Sequence, residues 1–359
     1  MSITALTSPA TRVAAVVLLS GLLVVGGATA PREGPTAVET VITAAPAKTP
    51  ANTDPSRVAR MNQVPQSPRK RLALRVLDNG CPYSRRGIPK CGVLLGAAYG
   101  SNTDPTSWER SMGHRLGVHR TYWAADEVSE AVLTARQDVA HQRVPWISFK
   151  LPYSWAEMAA GQGDTWARDL ASRLATVDGP VWVAFHHEPE GDAQDITQWT
   201  AMQERLAPIV RSTAHNVAYT IILTGWNQFY GPRDYSLTSL WPRGTKIDLV
   251  GFDVYNKYGA VADGRTVTER TRFKSRYLAK FEKFAQEHQL AWGLAETGNT
   301  DVSAGVEPRF VQHLYNGVRK HGGIAVTYFN STLNSTAPWR LLGGKEQHFA
   351  AQLRTTPTL

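Results

Sequence analysis

Apolar runs and amphipathic stretches alternate along the chain from Cys91 onward. The plainest run is Val181-Trp182-Val183-Ala184-Phe185, five apolar residues, mostly β-branched or aromatic, with no polar interruption. That pattern predicts a strand buried on both faces. It leads directly into His186-His187-Glu188, and Pro189, which cannot supply the next ladder hydrogen bond, ends it. The Glu188 carboxylate is therefore expected where the strand leaves its sheet.

Similar runs predict strands over 91–99, 118–123, 144–150, 217–224, 247–255, 290–296 and 323–329. Helical spacing falls between them, over 105–116, 127–141, 165–177, 196–214, 267–288 and 308–321, with a closing helix near 347–354. Asp104 is placed to cap the first helix, and Pro105 suits its first turn. In the fourth, Trp199, Met202, Leu206 and Val210 recur at three- and four-residue steps, and Pro208 threatens a kink. Eight strand-then-helix units in about 265 residues match an α/β fold of the (β/α)8 TIM-barrel type. A doubly wound open sheet is the alternative, but no glycine-rich phosphate turn follows the first strand.

The stretch before the barrel has a different character. Residues 1–30 carry Arg12, an uncharged apolar run over 13–28 and Ala28-Thr29-Ala30, the pattern of an export signal or an N-terminal anchor. Residues 31–80 begin rich in Pro, Thr and Ala and then turn basic, which predicts a flexible linker ahead of a catalytic domain over 81–359. Between Ser56 and Lys90 nine basic residues face one acid, so this segment holds +8 of the chain's net +9. The folded part is nearly neutral, which argues against a nucleic-acid-binding face. The basic linker suits contact with an anionic cell wall or membrane surface, or serves as a solvated spacer. Cys81 and Cys91, the only cysteines, read as a disulfide closing a short loop in an exported protein. No third Cys or nearby His completes a metal site there. A secreted or surface-associated monomer without cofactor is the expectation.

Catalytic groups of such a barrel belong at the C-terminal ends of its strands. Those ends carry Tyr99, Arg120 with Tyr122 and Trp123, Lys150, His187 with Glu188, Trp226 with Asn227, Asp253 with Tyr255 and Asn256, Glu296, and Tyr328 with Asn330. Glu188 ends the fourth strand and Glu296 the seventh, so the two carboxylates can face one another across a bound ligand. Retaining glycosidases require such a pair, roughly 5 to 5.5 Å apart, one as acid and base and the other as nucleophile. Arg120 and Lys150 could hold Glu296 ionised, bind acidic sugar substituents, or pair structurally. Trp123, Trp155, Trp226 and Trp241 fall in or beside the rim loops, where indoles stack on sugar rings.

The sequence here resembles the clan of (β/α)8 glycoside hydrolases with glutamates after strands four and seven. The His187-Glu188 pair and Gly251-Phe252-Asp253-Val254-Tyr255-Asn256 look most like glycoside hydrolase family 26, the β-mannanase-like family. That resemblance implies Glu188 as acid/base, Glu296 as nucleophile, Tyr255 as its hydrogen-bond partner and His187 as a substrate-positioning group. It also implies a β-linked polysaccharide substrate and endo action. The sequence departs from the family where Pro189-Glu190-Gly191-Asp192 follows the acid/base and where Tyr328 replaces a tryptophan at the eighth strand end. Two other classes fit the residues, a carbohydrate-binding barrel without turnover and a metal-dependent hydrolase. The metal reading would use His186, His187, Glu188 and Asp192, but successive strand residues point to opposite faces, so the two histidines are poorly placed to share an ion.

Overall fold

Eight parallel strands close into a barrel in the computed structural model, which describes residues 75–359 apart from 193, 263, 334 and 336. The strands are β1 (Leu94–Tyr99), β2 (Val118–Trp123), β3 (Val144–Phe149), β4 (Val181–Phe185), β5 (Val217–Thr224), β6 (Leu249–Asn256), β7 (Ala291–Asn299) and β8 (Ala325–Asn330). Each pairs with its neighbours in chain order, and β8 pairs with β1, so no edge is left. The export signal and the linker as far as residue 74 lie outside the described residues.

Two cores arise from the alternation of side chains along each strand. Every second strand residue points into the barrel, where Leu94, Val144, Trp146, Trp182, Ala184, Ile222 and Ala295 pack together. Gly251 makes room there, since a Cβ on it would lie 2.7 to 2.9 Å from Ala295, Trp146 and Ile222. The other strand residues meet the apolar faces of the surrounding helices, among them Trp199, Met202 and Leu206 of the helix Ile196–Thr213, which carries Pro208 in its interior. Asp104 does serve the first helix, accepting the Thr106 amide at 3.1 Å.

The lower end of the barrel is closed by the segment before β1. Leu77 and Cys81 join the inner core, the Cys81–Cys91 disulfide is formed, and Asp78 accepts the Thr358 amide and hydroxyl at 3.1 and 3.0 Å. Residues 75–80 thus pack with the barrel. The opposite end, where the strands finish, stays open as a cleft.

Candidate active site

Simple alternation would put Glu296 on the wrong side of β7. Leu294 faces the helices and Ala295 the barrel interior, so the next residue but one after Leu294 should also face the helices. A bulge prevents this. Phe252 of β6 pairs with Leu294 but Asp253 pairs with Glu296, leaving Ala295 as the extra residue, and the β8 register shifts at the same place. An inserted residue re-aims the side chains beyond it. Glu296 therefore joins Ala295 on the inner face and opens onto the cleft.

Once there, Glu296 is surrounded by donors. Tyr122 donates to Oε1 and Tyr255 to Oε2, each at 2.6 Å, while Arg120 Nη2 stands 3.6 Å from Oε1. Burial, then the charge of Glu296, raises both phenols well above their ordinary values, so they remain protonated donors. Two short phenol hydrogen bonds and a guanidinium at ion-pair distance thus fix the position of this carboxyl. His187 Nε2 lies 4.0 Å from Oε1. Burial and the neighbouring Arg120, His186 and Lys150 charges hold that imidazole well below its usual pKa, so it is neutral.

The end of β4 is built differently. His186 and Glu188 both have φ of 50°, the left-handed region that side chains other than glycine seldom adopt. These two reversals break the alternation after Phe185. His186 turns outward, with Nε2 2.5 Å from Asp192 Oδ2 and its ring edge-on to Trp155, while His187 and Glu188 both enter the cleft. The Glu188 amide donates to the Ile222 carbonyl at 3.0 Å, tying the turn to β5. Burial, then the charges of Glu296 and Glu190, pushes the Glu188 carboxyl up to about 8. Asp253 beside it is also held well above the usual range, by burial and by Glu296 and Glu188, and the Asp253 and Glu188 carboxyls share a hydrogen bond. Glu190, one turn on, accepts the Thr224 amide at 3.2 Å and a Gln228 amide hydrogen, and burial raises it to about 7. Around Glu188 the surroundings favour a proton.

The cleft has a volume of about 970 Å³. Lys150, Trp226, Asn227 and Asp253 line it, as the strand ends predict, together with His187, Tyr255 and Trp123. Trp226 is half exposed, and Asn227 is held by a 2.9 Å bond to Thr224 Oγ1. Two expected ligand contacts are corrected. Tyr328 is fully buried on the helix side, against Phe349 and with its hydroxyl 3.0 Å from Asn299 Oδ1. Ala325 and Phe329 face inward on β8, and Tyr328 has the opposite parity. Arg120 is 1 % exposed beneath the Tyr122 ring, 4.4 Å from its centroid, so it acts on the ligand only through Glu296. Trp155 and Trp241 belong to the core rather than the rim.

Among the lining residues to which the sequence gives no role are the aromatic Tyr122, Phe329 and Trp339. Tyr122 has the same parity as Arg120, which is a readable signal. Phe329 is the inward neighbour of Tyr328. Trp339 comes from the loop after β8 and lies 4.7 Å from Tyr255 between ring centres, and no periodicity marks it. Among the described residues no three His, Cys, Asp or Glu side chains are grouped to hold a metal ion.

No family model and no curated protein matches the sequence. Solved structures match its fold. A GH26 β-mannanase from Bacteroides ovatus, BoMan26A, aligns with a TM-score of 0.53 at 16% identity, over 74% of this chain and 88% of its own. The exo-β-1,4-mannosidase Op5Man5 from an Opitutaceae bacterium gives 0.54 at 12%, over 79% of this chain and 61% of that one. A GH5_18 protein from Bifidobacterium longum subsp. longum, in complex with Manβ1-4GlcNAc, gives 0.52 at 13%, over 74% and 80%. At these identities the likeness establishes the common (β/α)8 barrel.

Proposed function

We propose that the protein is a retaining glycoside hydrolase acting on a β-linked polysaccharide. The observation that carries this reading is the contrast between two carboxyls in one cleft, Glu296 ringed by donors and Glu188 raised to about 8. A general acid must carry a proton while a nucleophile is held ready to attack, and the raised Glu188 meets the first need while the bonds from Tyr122 and Tyr255 orient Glu296 for the second. Glu296 attacks the anomeric carbon while Glu188 gives its proton to the departing glycosidic oxygen. Glu188, now ionised, takes a proton from water; the water attacks the anomeric carbon, and the bond to Glu296 breaks. Arg120, Tyr122 and Tyr255 hold the nucleophile in place, and neutral His187 is free to donate to a sugar hydroxyl.

The β linkage is supported by the fold neighbours, which are named for β-mannan and β-mannoside substrates. A cleft near the upper end of the usual range of about 300 to 1,000 Å³ has room for several sugar units, which favours endo action. Export is proposed from the N-terminal apolar run and the disulfide. The test is a panel of β-mannan, β-glucan and β-xylan assayed for new reducing ends. Glu188→Ala should lose about 10²- to 10⁴-fold in rate, with azide restoring part of it as a glycosyl azide product. Full activity in that variant would remove the mechanism.

A further inference from the structure

The floor of the cleft is close to electrically balanced. Arg120 answers Glu296, and Glu188 and Asp253 sit where burial favours their neutral forms. The rim is not balanced. Lys150 at the end of β3, and Lys257, Arg270 and Arg276 between β6 and β7, all line the cleft, against one rim acid, Glu269. Arg276 covers the Tyr230 ring at 4.4 Å, with Glu269 adding to its stabilisation. Lys150, Lys257 and Arg270 are exposed and have no carboxylate within ion-pairing distance among the described residues. The segment 265–283, which supplies Arg270, holds seven basic residues and two acids in a domain that is otherwise nearly neutral.

Cations without partners, converging from two sides on one cleft, focus its field toward anions. We propose that the substrate is a glycan carrying fixed negative charge, recognised by Lys150 from the β3 side and by Lys257 and Arg270 from the β6 side. This rests on the glycosidase reading for turnover but concerns binding, so the two can fail separately. Uronate carboxylates and sulfate or phosphate esters share the required chemistry. The indoles of Trp226 and Trp339 would take the flat faces of the rings while the cations take the charged substituents.

The test is calorimetry on full-length Glu188→Gln protein, which blocks turnover and leaves the charge of the floor unchanged, with uronate-bearing β-glycan fragments, their carboxyl-reduced neutral counterparts, and sulfated counterparts. Charged fragments should bind about tenfold or more tightly than neutral ones at low salt, and the gap should shrink as salt screens the field. Adding Lys150→Gln, Lys257→Gln and Arg270→Gln together should close the gap, whereas Lys283→Gln and Lys320→Gln, away from the cleft, should leave it unchanged. A gap for both anion types assigns the effect to charge, and a gap for one identifies the group. Equal binding of neutral fragments, or a gap that survives the triple substitution, overturns the proposal. Charge-selective binding with no reducing ends released by the wild type would end the hydrolase reading alone.

Discussion

The ends of β4 and β7 each deliver a glutamate to the same cleft, yet they prepare it in opposite ways. At β7 a bulge turns Glu296 inward onto two phenols and a guanidinium. At β4 two left-handed residues turn Glu188 inward beside Asp253 and Glu190. Donors stabilise a carboxylate, whereas burial among other acids stabilises a carboxylic acid. One residue type thus acquires two chemistries from what its neighbours present, and the difference is set by backbone irregularities in both strands rather than by regular alternation.

The sharpest way to break this contrast is at the β7 end. Replacing Tyr122 and Tyr255 together with Phe removes both short bonds to Glu296. Each such bond to a charged group contributes about 1.5 to 3 kcal/mol, so kcat/KM should fall by roughly 10²- to 10⁴-fold in steady-state assays. A loss under threefold would mean that the phenols do not define the nucleophile.

A smaller effect is expected at β4. The negative charge of Glu190 raises the Glu188 carboxyl, so Glu190→Gln should lower it. The acid form of Glu188 is lost as pH rises through about 8, which sets the basic limb of the rate profile there. In Glu190→Gln that limb should move to lower pH, with the maximal rate falling only modestly. An unmoved limb would separate Glu190 from the tuning of Glu188.

The smallest effect tests the corrected residue. Tyr328→Phe removes a buried hydroxyl that donates to Asn299 Oδ1 and accepts the Asn299 amide, and should cost about 1 to 3 kcal/mol in denaturant unfolding while leaving KM unchanged. A raised KM with unaltered stability would return Tyr328 to the cleft.

Much of the barrel was legible because its strands are apolar runs whose ends coincide with breaks in pattern; β2, β4 and β5 fall where the sequence places them. Glu188, Glu296 and Tyr255 were readable as strand-end groups on opposed sides of a barrel. Position at a strand end points to Tyr328, whereas parity along β8 selects Phe329. The bulge at Ala295 and the reversed φ at His186 and Glu188 leave no mark in hydrophobic pattern, since neither uses a glycine. Trp339 depends on how the loop after β8 returns over the cleft, a tertiary event outside the reach of local spacing.

The most direct measurement is covalent trapping with 2-fluoro glycosyl fluorides of the manno and gluco series, with the adduct located by peptide mapping in a mass spectrometer. The account predicts a single glycosyl adduct on Glu296, formed in the wild type and absent from Glu296→Gln. An adduct on Glu188 or Asp253, or turnover of the natural glycan by Glu296→Gln, would contradict it.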